Sequence, residues 1–88
     1  MDELSLYRQE IDSLDAQLIE VLAKRFEVIK KVAKYKKDNN VQPLQSNRWQ
    51  EVLSRAKESG KSKWLDPVFV GVVWNTIHEF ALDVEEKF

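Results

Sequence analysis

Two cations lie where the longest helical pattern of the sequence calls for apolar side chains. Arg25 follows Leu18 by seven residues, and Lys36 follows Arg25 by eleven. At about 100° per residue, these steps place both cations on the same face as Ile29 and Val32. Because burying an unpaired charge is very costly, each cation must be paired or must line a site for an anionic ligand. A guanidinium and an ammonium on one face suit the binding of carboxylates.

Simpler interpretations remain open for each of these charges. Lys36 could complement the negative end of its helix dipole. Arg25 could pair internally with a carboxylate such as Glu79 or Glu85. Arg48, in the second helix, is typical of a surface charge. Periodicity alone therefore indicates basic pockets but no reaction.

Arg8 points in another direction from the two cations on the stripe. It lies about 100° away from their face and ~25 Å before Arg25 along the helix axis. Arg8 can meet Arg25 only if an antiparallel partner helix delivers it; alone, it is a solvated surface residue. His78 is interpreted as a packed or capping residue, and the tryptophans as core or interface aromatics: Trp49, Trp64 and Trp74.

The helix that must position these residues spans Leu4 to Lys37, a stretch without Gly or Pro. It would be about 50 Å long, whereas a compact monomer of this chain length has a radius of gyration of about 12 Å. A second copy of the chain is the simplest cover for its apolar stripe. The stripe consists of Leu4, Tyr7, Ile11, Leu14, Leu18, Leu22, Phe26, Ile29, Val32 and Ala33.

Two shorter helices are predicted after the long one. Ser46 is a good N-cap for the second helix, and Gly60 stands where a left-handed residue would end it. Asp66 and Pro67 together predict the start of the third helix. We therefore predict a single all-α domain over residues 1–88, with helices over roughly 3–39, 46–59 and 67–86, paired into an intertwined antiparallel helical homodimer.

Composition excludes several classes of function. The absence of Cys excludes thiolate chemistry, and a single His excludes a metal site built from several histidines. A net charge of −1 gives no indication of nucleic-acid binding. The acidic N-terminus does not resemble a signal peptide, and no apolar run reaches transmembrane length. We expect a cytoplasmic domain that binds neither nucleic acid nor a membrane.

Four short motifs occur in the order typical of the all-helical (AroQ-type) chorismate mutases. They are Arg8-x-x-Ile11-Asp12-x-Leu14-Asp15, Leu22-Ala23-Lys24-Arg25, Lys36 and Gln45-x-x-Arg48. The resemblance covers essentially the whole chain. The segment from Pro43 to Trp49 most resembles mutase domains fused to DAHP synthase, which makes a DAHP synthase a candidate partner.

The resemblance implies a homodimer whose active sites are shared between the chains, and a rearrangement that requires neither a cofactor nor a metal. Arg8 of one chain and Arg25 of the other would clamp the two carboxylates of chorismate. Lys36 would donate to the ether oxygen of the breaking C–O bond, and Arg48 would support the pocket. Gln45 occupies a position where many relatives have an Asp near the substrate hydroxyl.

Three residues depart from the pattern of the family. Trp49 replaces a Glu that binds the substrate hydroxyl in many mutases, and Ala81 replaces a Ser that often contacts a carboxylate. Glu85 stands where many members have a Gln that donates to the ether oxygen. A carboxylate there would repel the developing charge, so we expect Glu85 to be protonated, and therefore neutral, for efficient turnover.

The resemblance leaves more than one function open. The leading hypothesis is a chorismate mutase that forms prephenate for phenylalanine and tyrosine biosynthesis. One alternative is an isochorismate-pyruvate lyase, which shares the fold and the cationic pocket and also lacks the acid at the position of Trp49. Another is a non-catalytic mutase-like module that binds or regulates, and a further one is a plain dimerisation module.

Overall fold

The computed structural model describes residues 2–87, so the outermost residues of the predicted domain, Met1 and Phe88, lie outside the described residues. Three helices form this part of the chain: α1 (Glu3–Asp38), α2 (Ser46–Lys61) and α3 (Pro67–Lys87). The predicted all-α architecture of one long and two shorter helices is confirmed. No helix within the described residues is both long and apolar enough to cross a membrane.

Helix α1 has a side-chain cap at its start and a left-handed residue just after its end. The Asp2 side chain accepts a hydrogen bond of 2.8 Å from the Ser5 backbone N–H, which satisfies a donor that the first turn leaves free. The predicted last residue, Asn39, already has a non-helical backbone (φ −112°, ψ 12°), so the helix ends at Asp38. Asn40 is left-handed (φ 55°), a conformation that Asn tolerates, and it turns the chain into the connector.

The roles predicted for Ser46 and Gly60 at the two ends of α2 were both wrong. Ser46 is the first helical residue, and the N-cap is Gln45, which makes no side-chain capping bond. Gly60 is a helical residue, and the helix runs on to Lys61 instead of ending at residue 59. The left-handed conformation expected of Gly60 belongs to Trp64, with φ of 65°.

Close packing between helices accounts for Gly60. A Cβ atom there would lie 2.8 Å from Cγ2 of Val70 on α3, closer than real side chains approach. The glycine lets α2 and α3 meet at short distance instead of ending α2. The predicted start of α3 is present, because Asp66 Oδ1 accepts a 2.9 Å hydrogen bond from the Val68 N–H ahead of a helix that begins with Pro67.

Helix α3 packs against both of the other helices. Phe26 of α1 meets Phe80 of α3 edge to face, with ring centroids 4.7 Å apart. The buried apolar residues among residues 2–87 are small or β-branched: Ala33, Ala56, Val70 and Ala81. This core is thin, and it lies along α3, where that helix packs against α1 and α2.

The first half of α1 projects beyond this core. The molecule extends 57 × 24 × 15 Å, and its radius of gyration of 16.4 Å exceeds the value of about 12 Å for a compact chain of this length. Leu18 is 61% exposed and Ile19 is 67% exposed. Large apolar residues along the projecting part are exposed in the single chain: Leu4, Leu6, Tyr7, Ile11, Leu14, Leu18, Ile19 and Val21.

Candidate active site

The three helices enclose a cavity of about 280 Å³. The aliphatic part of its wall comes mainly from α1 and α2. Its polar lining includes four of the predicted site residues, Arg25, Gln45, Arg48 and Glu85, together with Trp49 and His78. Helix α1 contributes Arg25, α2 contributes Arg48 and Trp49, and α3 contributes His78 and Glu85. Residues far apart in the sequence therefore meet at one concave surface.

Arg25 brings an unsatisfied charge to this cavity. Its NH1 atom is buried and has no hydrogen-bond partner among the described residues. An internal pair with Glu79 or Glu85, which the sequence left open, does not satisfy this nitrogen. Because a buried unpaired donor is costly, the free guanidinium nitrogen marks a place suited to an anionic ligand.

Lys36 and Glu85 form an ion pair across the end of the cavity. Lys36 Nζ lies 2.7 Å from Glu85 Oε1, and the two side chains are only 17% and 7% exposed. Lys36 also donates to the backbone oxygen of Pro43, which fixes the connector over the end of α1. Oε1 accepts no well-aligned hydrogen bond, so the contact with Lys36 is mainly electrostatic.

Glu85 stands between Lys36 and the cavity. Glu85 and Pro43 line both this cavity and a second one of about 370 Å³. Lys36 lines only the second. The ammonium therefore lies behind the carboxylate as seen from Arg25. It is not a helix-end charge in solvent, as its position near the end of α1 could also suggest.

Gln45 and Arg48 are held by local contacts at the mouth of the cavity. The Gln45 side-chain amide donates to the backbone oxygens of Gln42, at 2.9 Å, and Leu44, at 3.3 Å. Arg48 NH1 donates to Glu51 Oε1 at 2.7 Å, and the Arg48 side chain is 61% exposed. Arg48 is thus both a surface charge and a cavity residue, with a carboxylate partner that a ligand would have to replace.

Besides Lys36, two of the predicted site residues do not line this cavity in the single chain. Arg8 is exposed on the projecting part of α1, and it precedes Arg25 by seventeen residues, or ~25 Å of helix. Ala81 is buried in α3, one turn before Glu85, and does not line the cavity.

Part of the cavity wall is a stacked pair of rings, a contact that the sequence did not predict. The rings of Trp49 on α2 and His78 on α3 lie nearly parallel, 8° apart, with centroids separated by 3.9 Å. One signal was available, because His78 precedes Glu85 by seven residues, or two helical turns, and so shares its face of α3. No comparable signal shows that Trp49 reaches His78.

The charges around His78 shift its pKa in opposite directions. Burial lowers the pKa of His78 below its ordinary value of 6.5, and the positive charges of Arg25 and Lys36 lower it further. Glu85 and Glu79 oppose this shift, but burial is the largest effect. The imidazole is therefore neutral at pH 7.

The arrangement suits the binding of a small anion. It offers an unsatisfied guanidinium, a second arginine at the mouth and a paired ammonium behind a carboxylate. Guanidinium groups bind carboxylates through paired hydrogen bonds, and charges in a partly buried site act strongly on a ligand.

Comparison with known proteins agrees with this geometry. The sequence model of chorismate mutase type II matches residues 7–86. The chain is also 26% identical, over 87 residues, to a 4-amino-4-deoxychorismate mutase of Streptomyces pristinaespiralis, and the match covers 99% of this chain and 67% of that protein. The family match spans all three helices and each of the predicted site residues, and on that basis the chain belongs to the chorismate mutase type II family.

Proposed function

We propose that the protein is a chorismate mutase that converts chorismate to prephenate. The observation that carries this proposal is the buried Arg25 NH1, which has no partner among the described residues and lies in a cavity shared by three helices. Chorismate is a dianion with two carboxylates, one of which Arg25 is suited to hold, with Arg48 in support at the mouth of the cavity. Membership of the family supports the same type of reaction.

The reaction makes modest chemical demands on the protein. In this rearrangement one C–O bond breaks and one C–C bond forms within the same molecule, and no proton or leaving group is released. The protein has to hold the substrate in its compact conformer and stabilise the negative charge that develops on the ether oxygen. Side chains that bind and orient an anion are sufficient for both tasks.

Glu85 and Lys36 would act on the ether oxygen as a pair. Glu85 is the member that faces the cavity, and Lys36 lies directly behind it. A protonated Glu85 would donate a hydrogen bond to the ether oxygen, whereas an ionised Glu85 would repel the charge developing there. With Glu85 neutral, the positive charge of Lys36 is no longer cancelled and stabilises the same oxygen through space.

We further propose that the active protein is an antiparallel homodimer in the cytoplasm. The exposed apolar residues on the first half of α1 form a longer apolar surface than a soluble monomer usually exposes. An antiparallel second copy would cover this surface and bring its own Arg8 to the cavity, where the second carboxylate of chorismate requires a partner. Docking onto a DAHP synthase stays a prediction from the sequence.

Chorismate consumption and prephenate formation test the proposed activity directly. Arg25→Ala should lower kcat/KM by about a hundredfold or more, because it removes a charged group preorganised for the substrate. Arg55→Ala is a matched control, since this arginine is exposed and pairs with Glu51 on the surface. Equal activity of the two variants, with helicity and oligomeric state intact, would contradict the proposal.

Two other reactions of related substrates belong in the same assay. An isochorismate-pyruvate lyase is favoured by Trp49, an indole that cannot accept a hydrogen bond from a hydroxyl, and it would release salicylate and pyruvate. The relative from Streptomyces is named for 4-amino-4-deoxychorismate. Comparison of kcat/KM for the three substrates assigns the reaction, and saturable chorismate binding without turnover of any of them would indicate a binding module.

Mixing of inactive subunits tests the shared site. Arg8→Ala and Arg25→Ala should each be inactive alone. In a mixed dimer, one of the two sites would combine the intact Arg8 of one chain with the intact Arg25 of the other. Recovery of activity after the two variants are unfolded and refolded together is the expected result. No recovery, with mixed dimers demonstrably present, would show that Arg8 does not act across the dimer.

A further inference from the structure

The ring stack on the cavity wall holds two polar side chains whose hydrogen-bonding groups are unused. Trp49 and His78 lie face to face at 3.9 Å and both line the cavity. Within residues 2–87, neither the imidazole nitrogens of His78 nor the indole N–H of Trp49 has a hydrogen-bond partner. These nitrogens are not among the buried polar atoms without a partner, so they are accessible to a ligand in the cavity.

The stack also fixes the orientation of the imidazole. His78 projects from α3 and Trp49 from α2, so their contact joins two helices that already pack closely at Gly60. Parallel rings at this distance restrict rotation of the imidazole about its side-chain bonds. The edge of the His78 ring, which carries both nitrogens, is therefore held in one plane at the cavity wall.

The remaining polar groups of the cavity limit what this edge can bind. Arg25 and Arg48 are suited to carboxylates, and Glu85 with Lys36 is suited to the ether oxygen. The ring hydroxyl is the polar group of chorismate that these residues leave without a partner. Gln45 also lines the cavity, but its amide nitrogen already donates to the backbone oxygens of Gln42 and Leu44. A hydroxyl both donates and accepts, and so does a neutral imidazole, whereas an indole N–H only donates.

We propose that His78 is a substrate-binding residue that hydrogen-bonds the ring hydroxyl of chorismate, with Trp49 as the positioning residue that holds the imidazole in place. This assignment rests on the proposed function. Burial lowers the pKa of His78, so the ring is neutral at pH 7 and can offer one donor and one acceptor. The site thereby recognises the hydroxyl without adding another positive charge beside Arg25.

The test combines one substitution with one change in the substrate. His78→Phe keeps a flat ring to stack on Trp49 and removes both nitrogens. The matching substrate is the chorismate analogue in which hydrogen replaces the ring hydroxyl. kcat/KM is measured at pH 7.5 for the wild-type protein and the variant with both substrates, and the four values form a double cycle.

The expected result is a loss that depends on the hydroxyl. His78→Phe should lower kcat/KM for chorismate by about five- to tenfold, as for a hydrogen bond between neutral groups. With the analogue, wild-type protein and variant should have equal kcat/KM. Trp49→Ala, which removes the stack but leaves His78, should lower kcat/KM for chorismate and have a smaller effect with the analogue.

Other outcomes separate failure of this assignment from failure of the proposed function. Equal losses with both substrates would mean that His78 only supports the fold, which overturns the assignment and leaves the mutase activity standing. An unchanged kcat/KM for chorismate in His78→Phe would overturn it as well. Wild-type protein that turns over neither substrate would overturn both the proposed function and the assignment that rests on it.

Discussion

Lys36 and Glu85 neutralise each other at the end of the cavity. Their charged atoms lie 2.7 Å apart, and both side chains are largely shielded from solvent. The pair joins the last turn of α1 to the last turns of α3. Because Glu85 faces the cavity and Lys36 lies behind it, the ionisation state of Glu85 decides how much positive charge a ligand in the cavity meets.

Glu85→Gln should therefore raise kcat/KM for chorismate. Glutamine carries no negative charge and still donates a hydrogen bond. It neither repels the charge that develops on the ether oxygen nor cancels the charge of Lys36. Steady-state kinetics at pH 7.5 measure the effect, and a kcat/KM of Glu85→Gln equal to or below that of the wild-type protein would show that Glu85 need not be neutral.

Removal of one member of the pair should also destabilise the fold. Lys36→Met leaves the carboxylate of Glu85 buried without its partner, and we expect the free energy of unfolding to fall by about 3 kcal/mol. The double variant Lys36→Met, Glu85→Leu leaves no buried charge and should recover most of this loss without recovering activity. Urea denaturation at pH 7.5 and fixed protein concentration provides the measurement. A double variant no more stable than Lys36→Met would mean that the two charges are not coupled.

Arg25 illustrates the opposite balance between stability and activity. Its NH1 atom is buried without a partner, and an unsatisfied donor of this kind costs about 1 kcal/mol or more. Arg25→Met should raise the free energy of unfolding of the ligand-free protein by about 1 kcal/mol while abolishing chorismate turnover. Thermal melts with and without a dicarboxylate inhibitor supply a second readout, because the inhibitor should stabilise only the wild-type protein. A less stable Arg25→Met variant would show that the guanidinium is satisfied in solution.

The sequence predicted the helices because their signals are local. The apolar stripe of α1 and the pair Asp66 and Pro67 each depend on residues close in the chain, and the structure contains both helices. The stripe also led to Arg25, since a cation among regularly spaced apolar residues is visible without a structure. The excess length of α1 was predictable for the same reason, because it follows from helix rise and chain length alone.

Features that depend on contacts between helices could not be predicted from the spacing of residues in the sequence. Gly60 has the sequence position of a helix-ending glycine, but its role is set by Val70, ten residues further on. Trp49 and His78 looked like ordinary packing residues, since nothing in the spacing of 29 positions between them indicates that their rings stack. The partner of Lys36 was equally hidden, because the sequence offered several carboxylates and only the crossing of α1 and α3 selects Glu85.

The two glycines of the chain should respond differently to substitution by alanine. Gly60→Ala would bring a methyl group to 2.8 Å from a branched side chain of α3. Even after a gain in helix propensity of up to about 1 kcal/mol, we expect a net loss of about 1–2 kcal/mol. Gly71→Ala meets the flexible Lys57 side chain at 3.1 Å, which can move, so it should be neutral or slightly stabilising. In the double variant Gly60→Ala, Val70→Ala, the branched side chain is removed, and much of the stability lost in Gly60→Ala should be restored.

Chemical denaturation measures all three variants. The order of unfolding midpoints should be Gly71→Ala at or above the wild-type protein, with Gly60→Ala clearly below both. Equal midpoints for the two alanine variants would mean that α2 and α3 separate easily at Gly60, and the packing explanation for this glycine would then fail.

His78 should make the stability of the protein depend on pH between neutrality and pH 5. Burial lowers its pKa in the folded state, to which Arg25 and Lys36 add, while Glu85 and Glu79 oppose the shift. The unfolded chain, with an ordinary value near 6.5, therefore binds the proton more readily than the folded chain. The contribution of the neutral imidazole to the free energy of unfolding is fully present above about pH 6.5. It is lost as the pH is lowered towards the pKa of His78 in the folded state, because protonation then favours the unfolded state.

The comparison with His78→Phe isolates this contribution from that of the carboxylates, most of which titrate below about pH 5. Urea denaturation at pH 7.5, 6.5 and 5.5, at one protein concentration, gives the free energy of unfolding of both proteins. The difference between variant and wild type should shift in favour of the variant as the pH falls through this range. If the difference stays constant, or shifts in favour of the wild type, the imidazole is not held neutral by burial against Trp49. A protonated His78 could not then offer the substrate hydroxyl an acceptor.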